Sequence, residues 1–164
     1  EFDKFLTDPV ELIVPLNHPW AKRKVIEPEE LFEGEFIMRE ETSGTFRAVQ
    51  AALFDKGLDI SKLKILLTVS NSEAIALSVQ EGLGAGFVSK LVVSRFTRNC
   101  AATVKINGLS ISQNIYLGFQ KRYPESAAQK AFWAFAKKIN LEKSVDFYSR
   151  SEVFMNVMEN LAAS

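Results

Sequence analysis

With 164 residues, 47% of them hydrophobic and 24% charged, the chain can form one domain or two small lobes around a real core, and it is too apolar for a disordered protein. Twenty basic residues balance twenty acidic ones, so no positive excess marks a surface that grips a nucleic-acid backbone. One cysteine (Cys100) and one histidine (His18) exclude an internal disulfide and the usual Cys/His zinc site.

The predicted elements alternate in type along the chain. Glu11 to Leu16 reads as a buried strand, stopped near Asn17-His18-Pro19, where proline forces an extended turn. Glu35 to Met38 is a second short strand. Thr45 to Lys56 places Phe46, Val49 and Leu53 on one face of a helix, with Gly57 and then Leu58 as a glycine stop and its trailing apolar contact. Lys64 to Val69 is a third strand. Asn71 to Glu81 is a second helix, signposted by the S-x-x-E spacing of Ser70 and Glu73. Gly82 and Leu83 repeat the glycine stop. Ala85 to Val88 is a strand, followed by Ser89 as cap of a brief helix over residues 91–95. Strands over 103–106 and 115–119 follow, then a strong helix over 126–139 with Ala128, Phe132, Phe135, Ala136 and Ile139 on one stripe. Past a polar stretch from Asn140 to Arg150, Val153, Phe154, Val157, Met158 and Leu161 predict a last helix over 151–162.

Such alternation predicts an α/β fold: a mostly parallel sheet with helices on both faces. Ligands in such sheets bind beyond the carboxyl ends of the strands, where the next helices begin. The stretch "REETSGTFR" (39–47) lies at one such place. Whether Thr42, Ser43 or Gly44 caps the helix, position N3 is Thr45, Phe46 or Arg47, never Glu or Gln, so the capping box lacks its reciprocal half. Arg47 also stands where the helix dipole disfavours a cation, a penalty that a bound anion would reverse. The competing reading pairs Glu40 or Glu41 with Arg47 and leaves the amides to water. Ser70 and Asn71 hold the equivalent place before the second helix, with the same choice between cap and ligand contact.

Catalysis finds little support. Ser43 lies in S-G-T-F rather than a G-x-S-x-G elbow, and His18, the only histidine, precedes a proline in a turn. The glycines of "GLGAG" (82–86) follow a helix and lead into a strand, the reverse of a dinucleotide fingerprint. No catalytic residue, metal ligand or cofactor is expected. No apolar run approaches the roughly 18 residues of a membrane span, so no membrane is expected either, and the lone cysteine favours a reducing, cytoplasmic compartment.

Taken together, "ELIVPLNHPWA" (11–21), "EGEFIMREETSGTFRAVQAALFDKGLD" (33–59), "SNSEAIALSVQEGLGAGFVSK" (70–90) and "IYLGFQKRYPESAAQKAFWAFAKKI" (115–139) resemble the effector-binding domain of LysR-type transcriptional regulators. That family shows a crossing strand ending in His-Pro-apolar-Ala, a Ser-Gly-x-x-Arg-like loop before a helix, and a Val-x-x-Gly-Leu-Gly turn. The resemblance implies a periplasmic-binding-protein-like fold of two α/β subdomains with a small anionic or polar effector in the cleft. It implies effector contacts from residues matching Thr42 and Ser43, from Ser70 and from backbone near Gly84-Ala85-Gly86; together with the helix starts read above, the expected effector site is Thr42, Ser43, Gly44, Thr45, Arg47, Ser70, Asn71 and Gly86. It also implies pairing into homodimers or tetramers, and promoter DNA bound only through an N-terminal winged helix-turn-helix.

On this reading residues 1–139 are a partial domain. The core subdomain covers about 17–115, residues 10–16 and 115–120 form crossing strands, the C-terminal helix covers 126–139, and residues 140–164 are an extra tail. Most of the first subdomain is missing, and Ser89-Lys90 stands where many members have a proline. Beginning at Glu1 rather than Met, the chain reads as a processed product or a piece of a longer protein. The apolar stripe of the 126–139 helix is expected to pack on the 151–162 helix or on a second chain. A solute-binding protein of a transporter and an enzyme on the same scaffold are the alternatives.

Overall fold

The computed structural model describes residues 2–96, 100–118 and 126–138. It divides into two compact units, one of residues 8–113 and one of residues 1–7 with 114–164. The predicted tail helix over 151–162, and its packing, lie outside the described residues.

In chain order, β1 (Phe2–Pro15) is followed by α1 (Pro19–Arg23), β2 (Val25–Ile26), a 3-10 segment (Pro28–Glu33), β3 (Glu35–Arg39) and α2 (Gly44–Phe54). After a 3-10 turn (Ile60–Lys62) come β4 (Lys64–Val69), α3 (Ser72–Gln80), β5 (Ala85–Ser89), α4 (Lys90–Phe96), β6 (Ala101–Ile106), β7 (Ile111–Gly118) and α5 (Ala127–Lys138). The sheet runs β2-β6-β1-β5-β3-β4, with β7 also paired to β1. It is mixed. β3 lies parallel to β4 and β5, and β2 parallel to β6, whereas β1 runs antiparallel to β5 and β6.

The central strands β1, β5 and β3 are covered on both faces, and they show it by alternation. Leu12, Val14, Phe36, Met38 and Phe87 point into one cluster, where α2 adds Phe46, Val49 and Leu53. Their neighbours Ile13, Ile37 and Val88 point into the other, against Ile75, Ala76 and Val79 of α3. Successive strand residues face opposite sides, so a strand buried on both reads as an unbroken apolar run. That is why β1, β3 and β5 were legible. β1 is nonetheless far longer than predicted, because its first half alternates too weakly to announce a strand.

Two helix ends follow the predicted glycine stops. Gly57 and Gly82 adopt φ of 72° and 80°, and the amides of Leu58 and Leu83 donate back to the carbonyls of Leu53 and Ser78. Pro19 departs from expectation. It begins α1 instead of merely stopping β1, because proline at the first helical position gives up only an N–H that would have had no partner. His18 is that helix's cap, its Nδ1 accepting from the Trp20 amide at 3.2 Å.

In the other unit, α5 opens with a full capping box. The Ser126 amide donates to Gln129 Oε1 at 2.8 Å, and the Gln129 amide donates to Ser126 Oγ at 3.2 Å. Phe132 and Phe135 remain half-exposed on α5, while Ala136 is buried.

Candidate functional site

The register of β3 with β4 places Arg39 beside Val69, so the carboxyl ends of these two parallel strands stand next to each other. α2 and α3 begin there, on opposite faces of the sheet. Two helix N-termini therefore open at one end of the sheet, where a doubly covered α/β layer binds its ligands.

At the start of α2 the cap is Ser43, 7% exposed, whose Oγ accepts from the Phe46 amide at 3.0 Å. With Phe46 at N3, the other half of a capping box is missing, as its sequence requires. Among the described residues, no acceptor partners the amides of Gly44 and Thr45. The first turn carries no acid. Thr45 is buried at 4% exposure, whereas Thr42 and Arg47 are exposed. The pairing of Arg47 with Glu40 or Glu41 does not form. Glu40 instead receives Nε and Nη2 of Arg39 at 3.0 and 2.9 Å. These bonds from Arg39, ahead of one from the backbone, hold the Glu40 carboxyl below its ordinary value.

At the start of α3 the predicted cap is shifted by one residue. Asn71, not Ser70, is the cap, with Oδ1 accepting from the Ala74 amide at 2.7 Å. An asparagine carboxamide reaches the third amide at least as well as a serine hydroxyl, and it takes the position. Ser70 is exposed. Ser72, buried in the first turn, accepts from Arg39 Nη1 at 3.2 Å, so one guanidinium links the end of β3 to the start of α3.

Behind the α2 start lies a polar group from the strands. Gln113 of β7 donates from Nε2 to Asp8 Oδ2 at 2.9 Å, and its Oε1 receives the Thr45 hydroxyl at 3.4 Å. Gly86 stands elsewhere. It is buried in β5 beneath α3, and a Cβ there would come within 2.3 Å of Ile75 Cγ2, so the position serves helix-on-sheet packing.

The structure thus gathers Thr42, Ser43, Gly44, Thr45, Ser70 and Asn71 around two adjacent helix starts. Sequence reasoning missed Arg39, Ser72, Asp8 and Gln113. Arg39 carried a usable signal, a cation on the last residue of a strand that feeds a helix start. Asp8 and Gln113 are 105 residues apart, and nothing local announces their meeting. Among the described residues no group of His, Cys, Asp or Glu could hold a metal ion, and no helix is long and apolar enough to cross a membrane.

The family model of the LysR substrate binding domain matches residues 1–139. The chain belongs to this family. As a LysR substrate binding domain it is 32% identical over 133 residues to an uncharacterized HTH-type transcriptional regulator of Methanocaldococcus jannaschii, covering 80% of this chain and 45% of that protein. It is 31% identical over 136 residues to a probable RuBisCO transcriptional regulator of Cyanidioschyzon merolae, covering 82% and 44%. The LysR domain therefore spans about half the length of the curated relatives it matches. These relatives are transcriptional regulators, not enzymes. Among solved structures, it resembles the Synechocystis PCC6803 CcmR regulatory domain in complex with 2-PG, with TM-score 0.69 and 26% identity over 83% of this chain and 64% of that one. The effector binding domain of QuiR, in complex with shikimate, shares the fold with TM-score 0.73 and 23% identity, over 87% and 66%. The fold is that of LysR effector-binding domains, the periplasmic-binding-protein-like arrangement.

Proposed function

We propose that this LysR domain senses a small anionic or polar effector at the paired starts of α2 and α3. The observation that carries the reading is the α2 first turn, where among the described residues the Gly44 and Thr45 amides lack acceptors and the turn itself carries no acidic side chain. Family membership supports it, as does the 2-PG bound to the related CcmR domain. Thr42, Ser43, Gly44 and Thr45 form one wall, and Ser70 and Asn71 the other. Arg39 between them, its charge shared with Glu40, ties the two walls together, and Arg47 is the exposed cation of the α2 first turn.

In the whole regulator the effector acts by binding one arrangement of the cleft more tightly than another, since only differential affinity shifts an equilibrium. Promoter DNA is then engaged by a winged helix-turn-helix outside this chain. The charge balance of twenty against twenty supports that assignment, because it leaves no excess for phosphates here. Residues about 17–115 form the second subdomain, and residues 10–16 and 115–120 are the strands that cross to the first. The regulator works in the cytoplasm as a homodimer or tetramer.

Titration of the chain with inorganic phosphate and small carboxylates, followed on the Gly44 and Thr45 amide resonances, tests the site. Saturable shifts at those two amides are expected. Thr42→Val combined with Arg39→Gln should weaken binding by roughly tenfold or more, since a charged hydrogen bond contributes about 1.5–3 kcal/mol. Unchanged affinity in that double variant would overturn the assignment.

A further inference from the structure

We draw no further inference here: the strongest candidate, the cavity where β3 and β5 begin, lined by His18, Glu33, Glu35 and Leu83, rests on two exposed glutamates alone, with no buried unpartnered side chain among the described residues turned into it.

Discussion

His18 performs a task its surroundings in sequence barely suggest. It caps α1 through Nδ1, and its ring meets Trp20 edge-on with centroids 4.7 Å apart. Burial pushes its pKa below the ordinary histidine value of about 6.5. The cap adds to this in kind, because an imidazolium has no lone pair left to accept from the Trp20 amide. A histidine that takes up its proton less readily when folded makes stability rise with pH. Its contribution is fully present above the unfolded value near 6.5 and is lost as the pH falls below it toward the folded value. The midpoint of urea unfolding should therefore drop between pH 7 and pH 5, and His18→Asn, which retains a capping side chain, should flatten that part of the profile. Because the chain holds no other histidine, direct titration of the ring resonances reads the same shift. A His18 value at or above 6.5 would contradict the account.

At the scale of elements, the seating of α3 on β5 depends on a missing side chain. Gly86 pairs with Ile13 on one side and Ile37 on the other, and the methyl of Ile75 occupies the space its Cβ would need. Gly86→Ala should therefore destabilise the domain by about 1–3 kcal/mol, the usual cost of overpacking a filled core. The effect should appear in chemical denaturation without any change in the effector preference of the remaining folded protein. A neutral Gly86→Ala would mean that α3 can lift from the sheet at no cost. The same substitution separates two roles for this glycine, since a ligand-facing backbone would change affinity and leave stability alone.

For the whole molecule, the outer edge of the sheet is conspicuous. β4 is an end strand, yet Ile65, Leu66 and Leu67 stand 41%, 49% and 46% exposed on it. An apolar strand with an unpaired edge is a template for another chain unless it is covered. The proposed pairing between copies gives this edge a use. Leu66→Lys should then weaken self-association by tenfold or more in sedimentation velocity. Its folding stability should move by no more than about 0.5 kcal/mol, as befits an exposed position. A sedimentation profile identical to that of the unsubstituted chain would remove β4 from the interface.

Sequence by itself determined the layered α/β architecture, the strands buried on both faces, the glycine stops after α2 and α3, and the lack of a capping-box partner at the start of α2. Each of these is written within about a dozen neighbouring residues, as a period, a breaker or a spacing. It determined the family as well, through the order of those segments. Tertiary structure alone decided that β1 runs antiparallel to its neighbours, that Asn71 caps α3 in place of Ser70, and that Arg39 takes Glu40 from Arg47. It alone brought Asp8 and Gln113 behind Gly44 and Thr45. The reason is the same in each case. A cap or an ion pair goes to whichever candidate the backbone brings into bonding geometry, and a contact across 105 residues is set by strand pairing, which leaves no trace in local pattern.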